Sequence, residues 1–331
     1  RRGQACVAQP SRDPEALRLW IQKSDILRKL PCIPAYQDLE MLLDARRSIV
    51  FAAAATACLP NAPTRPALAA DPYQEIRARL AAPIVSEAGD GNAMAGRPEP
   101  TLPAWLSGRW RAEQTLTEFN LPLGVQFIGA AGRPLSEAEA SAAQTRAQIG
   151  KPVTLELRFD AVADGARENR AFNSRSRLDA FAGRSVTKRS QACAVAGVDS
   201  PGLACTLVEF TGPVSQKQIV NSMRVATPSE GTAAPAVVFS EFTRAIFARL
   251  TMPGDTRNFP PITTDSETIV ALAPEPAEGG GAPEVVRGKL RLISYLQPYD
   301  ALYFAAGRKS VSISDYSLTL TRLPEQQDAT V

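Results

Sequence analysis

The sequence predicts a mainly β protein, an antiparallel barrel or sandwich with one inserted helix, and three observations predict it. Period-two alternation dominates from residue 105 onward: Val153, Leu155, Leu157 and Phe159 share one face, and Thr154, Glu156, Arg158 and Asp160 the other. Turn signals are dense, at Asp164-Gly165, Pro201-Gly202, Thr211-Gly212-Pro213, Pro253-Gly254 and Ala306-Gly307. Helical spacing between strands, which a parallel sheet needs for its crossovers, is visible only once.

The elements follow from these signals. Besides 152–160, strands are expected at 108–119, 123–129, 167–173, 204–211, 217–225, 236–249, 267–273, 285–296 and 311–322. The inserted helix is expected at 136–149, where Ser136 and Glu139 have capping-box spacing and Gly150 supplies a stop. A separate short helix is expected at 71–82, with Asp71 as its cap, Pro72 in its first turn and Gln74 at capping-box spacing. Residues 83–103, rich in Pro, Gly and Ala, read as a flexible linker, so the domain spans 105–323. The loops 226–235 and 274–284 are Pro/Gly/Ala/Glu-rich, and 324–331 form a polar tail.

Composition narrows the chemistry. The 331 residues include no histidine, which excludes Ser-His-Asp and Cys-His catalysis and every His-containing zinc site. No cofactor motif is present. The net charge of +3 is unevenly spread: residues 1–69 hold ten Lys/Arg against six Asp/Glu. The remainder is nearly neutral and has no global field for nucleic acid.

That basic segment reads as a leader. Arg46-Arg47 precede an apolar run from Ile49 to Leu59, three prolines, and then Ala67-Leu68-Ala69. A basic region, a short apolar region and an Ala-x-Ala site make an export signal, and the paired arginines point to the twin-arginine route. Cleavage is expected between Ala69 and Ala70. Eleven apolar residues rise only about 16 Å as a helix, short of the ~30 Å hydrocarbon core, so a transmembrane anchor is the weaker reading. No transmembrane segment is expected in the mature chain.

Residues 1–45 suit a stromal transit segment ahead of a twin-arginine lumen signal at 46–69. The destination is then the chloroplast thylakoid lumen. Against this, Asp13, Glu15, Asp25, Asp38, Glu40 and Asp44 are unusual in a transit peptide. In the other reading Met41 opens a bacterial-style signal.

Specific residues carry a resemblance. Gly108-Arg109-Trp110 opens the first strand and Arg322 closes the last, which resembles the lipocalin-type (calycin) barrel, where a Gly-x-Trp tryptophan packs under a terminal arginine. The blocks Trp105 to Trp110, Pro122 to Phe127, Arg170 to Asn173, Ser240 to Arg244, Glu267-Thr268 and Tyr295 to Pro298, continuing through Tyr303-Phe304 to Tyr316 and Arg322, cover almost all of 104–323. Together they resemble an uncharacterised family of cyanobacteria, algae and plants, whose plant members are thylakoid lumen proteins without assigned activity. The resemblance implies location and fold and supplies no catalytic residue.

The candidate site residues have competing readings. Trp110 with Arg322 is a core plug or a cavity wall. Arg170, Asn173, Arg175 and Arg177 are a carboxylate or phosphate site, or a solvated loop face. Glu241 and Arg244 are an inward polar pair for a ligand headgroup, or a cross-strand ion pair. Tyr295, Tyr299, Tyr303, Phe304 and Tyr316 are an aromatic cavity wall or a packed final hairpin.

Cys193 and Cys205, the two cysteines left after the leader, are a disulfide or two independent buried thiols, and the even count with the Pro201-Gly202 turn between them favours the bridge. The reading that emerges is a non-enzymatic lumen protein, accessory to photosynthetic complexes or carrying a small lipophilic ligand, with photosystem subunits or that ligand as partner. The rival is a lumenal enzyme acting on a lipophilic substrate, with a carboxylate such as Glu241 as its acid or base.

Overall fold

The structure, a computed structural model, describes residues 71–87, 99–128, 134–193, 204–228, 237–249, 260–276 and 281–324. The expected leader, the middle of the expected linker, parts of both Pro/Gly-rich loops and most of the tail lie outside them.

Ten antiparallel strands form one curled sheet: β1 (Gly108–Asn120), β2 (Pro152–Val162), β3 (Gly165–Glu168), β4 (Thr187–Ala192), β5 (Cys205–Phe210), β6 (Val214–Ala226), β7 (Val237–Arg249), β8 (Ile262–Pro274), β9 (Val285–Tyr295) and β10 (Ser312–Arg322). Their order is β3-β2-β1-β10-β9-β8-β7-β6-β5-β4. The protein is therefore mainly β, as the alternation predicts. The sheet is a half-barrel, however, because β3 and β4 are free edges that do not pair with each other.

Register assigns the faces. Trp110 and Ala112 of β1 lie opposite Leu157 and Leu155 of β2, and Ala112 lies opposite Leu320 of β10. These side chains share the concave face with Leu318, Leu272 and Val237 in one buried cluster. The inward set expected within 152–160 is observed: Leu155, Leu157 and Phe159 are buried, and Val153 packs against them.

Among the described residues four α-helices complete the fold: α1 (Pro72–Ala81), α2 (Leu135–Arg146), α3 (Arg170–Ala182) and α4 (Tyr303–Ala306). Of these, α3 closes the half-barrel and was not expected. It has clear signals at both ends. The Asn169 side chain accepts from the Phe172 N–H, and Gly183 ends the helix in the left-handed conformation. A strand at 167–173 was expected instead; β3 stops at Glu168 and the chain turns into α3.

The helix then satisfies backbone groups along the exposed part of the β2 edge. Asn173, fully buried, accepts from the Arg158 N–H at 2.8 Å and donates to the Arg158 carbonyl at 3.1 Å. Ser176 Oγ accepts from the Glu156 N–H. At the other end of α3, Asp179 accepts from the N–H groups of Val186 and Thr187, where β4 begins. Side chains thus span the gap that a further strand would fill in a closed barrel.

The convex face is covered as well, which corrects the expectation of a separate first helix and a free linker. Asp71 caps α1 by accepting from Tyr73 N–H, as expected. Tyr73 and Ile76 are buried in one cluster with Val238, Phe242, Ile269, Ile293 and Ile313. Val85 is buried, and bridges join Ser86 to Lys309 and Leu102 to Ala166.

Three smaller expectations differ. Of the strand expected at 123–129, residue 129 lies outside the described residues, and 123–128 hold a 3-10 turn at Val125–Phe127 instead. The polar strand β4 was not expected. Pro134 is the N-cap of α2, so Ser136 lies inside the first turn and makes no capping box. The disulfide is present: Cys193 and Cys205 are bonded with Cα atoms 5.0 Å apart.

Candidate ligand-binding site

Strand direction gives the half-barrel two ends. At the base, β1 begins and β10 finishes. Trp110 is fully buried there and donates from Nε1 to the Leu106 carbonyl at 2.7 Å. The Arg322 guanidinium lies 4.3 Å from its ring centroid and donates to the carbonyls of Trp105, Ser107 and Pro283. Gly108 explains the glycine of Gly-x-Trp. Its φ is +110°, and a Cβ would lie 3.0 Å from Arg322 Nη1. The pair is a plug at the base.

Above the plug a buried ionic cluster ties the wall together. Arg170 bonds Glu99 at 2.5 Å and Glu241 at 2.7 Å, and lies 3.6 Å from Glu168. Arg177 holds Glu168 at 2.6 Å, and Asn173 donates to it. Burial by itself raises the Glu168 pKa, but Arg177, Arg170 and Asn173 outweigh burial and hold it down at about 2. Burial likewise works against the charged form of Arg170, and Glu241, Glu168 and Glu99 overcome it and raise its pKa. Arg170 therefore spends its hydrogen-bonding capacity on the protein's own carboxylates. The helical Arg170 cluster is neither the solvated loop face nor an open anion site.

The expected pairing of Glu241 with Arg244 does not occur. Three residues apart on a strand, they point to opposite faces. Glu241 reaches Arg170 on the concave side, while Arg244 makes a bidentate pair with Asp265 on the convex side at 2.7 and 2.8 Å.

The aromatic wall is dispersed as well. Tyr295 lies under α1 and donates to the buried Glu267 carboxylate, which also accepts from Ser240 and Arg79. Burial, and then the Glu267 charge, push the Tyr295 hydroxyl well above its ordinary pKa. Tyr303 stacks edge-on against Phe304, which is 85% exposed, and Tyr299 is also exposed. Only Tyr316 reaches the concave interior.

The open end carries the cavity. A space of about 320 Å³ is walled by Gln114 and Leu116 of β1, Val153 of β2 and Tyr316 of β10. Gln144, Gln148 and Lys151, from α2 and the turn after it, form one rim; Ala180 to Gly183, at the end of α3, form the other. This volume is at the lower end of the ~300–1,000 Å³ usual for small-molecule sites. Within it, Gln114 is only 4% exposed, and its carboxamide makes no hydrogen bond among the described residues. None of Trp110, Arg170, Glu241, Arg244, Tyr295, Tyr303 and Arg322 lines the cavity. Gln114 was missed, although it stands in phase with Trp110, Ala112 and Leu116 on the inward side of β1.

Among the described residues, no group of three or more Cys, Asp or Glu side chains is placed to hold a metal. No helix among them is long and apolar enough to cross a membrane.

Fold and site together define a curled antiparallel half-barrel, plugged at its base and hollow at its open end. The chain belongs to the family described as "Domain of unknown function (DUF6816)", which matches residues 94–324. No curated protein and no solved structure matches it.

Proposed function

We propose that the chain is the precursor of a thylakoid lumen protein that carries a small lipophilic ligand without chemically transforming it, in a lipocalin-like barrel. The cavity at the open end is the observation that carries this reading. Its walls mix apolar surface from Leu116, Val153, Phe181 and Tyr316 with a few polar groups, the usual make-up of a carrier site. The Trp110–Arg322 plug supports the lipocalin-like part, and the Arg46-Arg47 signal with Ala67-Leu68-Ala69 supports the address. Glu241, the carboxylate available to the enzyme reading, is bound to Arg170 and lies off the cavity wall.

A second reading, accessory to photosynthetic complexes, has its own observation. Tyr299 and Phe304 are exposed on the β9–β10 connection, at the same end as the cavity, where they can dock on a partner. Native extraction of the protein from thylakoids, with mass spectrometry of what accompanies it, tests both. A co-purifying small lipophile supports carriage. A photosystem subunit that is lost on Phe304→Asp supports the accessory role. A chain that emerges with neither refutes both.

A further inference from the structure

We infer that the cavity takes an uncharged amphiphile, that this ligand enters polar head first, and that the Gln114 carboxamide recognises the head. The inference rests on the carriage reading and deepens it by naming the ligand class and its orientation.

Gln114 is the reason. A carboxamide carries two N–H donors and an oxygen acceptor, and here, on a residue that is 96% buried, it makes no hydrogen bond among the described residues and stays open to the cavity. A ligand that fills the cavity shuts the amide off from solvent, and it then either pairs with the amide or leaves it unsatisfied, which is unfavourable. It points into a space whose other β-strand walls are Leu116, Val153 and Tyr316.

An apolar tail pushed to that depth would seal the amide away from both water and partner. An alcohol, ketone or amide head placed there pairs with it and leaves the tail against the apolar walls. A charged head is disfavoured, because Lys151, the charged residue among the described lining, is exposed at the rim. A carboxylate driven down to Gln114 would lose its hydration without gaining a cation.

Titrations of the purified chain with 1-octanol, 1-octene and octanoate, followed by NMR of backbone amides, test the assignment. Octanol is expected to bind roughly tenfold more tightly than the other two, the scale of one buried hydrogen bond. In Gln114→Leu, octene should equal or exceed octanol, and the unliganded variant should keep the dispersed backbone-amide spectrum of a folded chain. Gln114→Met, closer in shape, should lose the octanol preference in the same way. Equal affinity for octanol and octene in the natural chain, or an octanol preference that survives both substitutions, overturns the role of Gln114 and leaves carriage standing. Tightest binding of octanoate reverses the orientation and overturns it too. If none of the three probes shifts an amide of the lining, carriage itself falls.

Discussion

Replacing Arg170 by leucine removes the one cation that three carboxylates share. The side chains of Arg170, Glu99, Glu168 and Glu241 are each between 13% and 16% exposed, so the cluster is largely dry. Breaking a buried ion pair from one side costs about 3–5 kcal/mol, because a charge is left without compensation. Glu168 keeps Arg177, so the loss falls mainly on Glu99 and Glu241 and is expected near the lower figure, about 3 kcal/mol.

The pH dependence distinguishes this cause from simple loss of packing. In the natural chain the Glu168 pKa is about 2 against an ordinary 4.5. A depressed carboxylate pKa contributes stability that is complete above the ordinary value and is lost as pH falls from about 4.5 towards 2. In Arg170→Leu the stranded carboxylates are relieved by protonation, so acidification hurts this variant less. The two stability curves should converge as pH drops from 7 to 3. Urea unfolding at several pH values measures this without the screening that guanidinium salt adds. Adding Glu241→Leu to Arg170→Leu should recover part of the loss at pH 7. A loss below about 1 kcal/mol at pH 7, or a gap that stays constant down to pH 3, would refute the ionic account of this wall.

Other outcomes follow from the same structure. Leu157→Ala should cost ~2–5 kcal/mol, as truncation of a buried leucine does, and an unchanged melting midpoint would mean that β2 faces the other way. Alkylation and intact-mass measurement without reductant should find Cys193 and Cys205 protected; opening their bridge should cost roughly 3 kcal/mol in the chain-entropy model. N-terminal sequencing of the protein from thylakoids should begin at or near Ala70, and an intact membrane-bound chain carrying Ile49 to Leu59 would defeat the leader reading.

Most strands were legible because one face of each is buried, and period two then appears directly in the residues. The exceptions have physical causes. β4 is a short edge strand of sequence Thr-Lys-Arg-Ser-Gln-Ala, with too little apolar surface to show alternation. Residues 123–129 carry apolar side chains, yet Pro122 and Gly124 bend the chain into a 3-10 turn. α3 has weak apolar patterning, since much of its work is polar: Asn173, Ser176 and Asp179 bond the backbone of the sheet edges. Its cap Asn169 and its stop Gly183 were readable, but Ala171 and Phe172 beside a strand favoured extending that strand. Whether the sheet closes was not legible at all, because closure depends on which edges meet.

The candidate site divides along the same line. Parity settles that Glu241 and Arg244 lie on opposite faces, so their pairing was excluded by the strand assignment itself. What parity cannot supply is the partner across the fold. Arg170 stands 71 residues from Glu99 and as far again from Glu241, and the three meet only because α3 crosses the concave side. Gln114 was legible in principle: it is the polar member of the inward series Trp110, Ala112, Gln114, Leu116. A polar residue in such a series either finds a partner in the core or faces a hollow. The sequence leaves that choice open, and the structure decides it through the length of α3. Thirteen residues carry that helix from the Arg170 cluster to Gly183, and there it becomes the rim of the cavity instead of filling it. The helix that completes the wall thereby also sets the depth at which Gln114 meets a ligand.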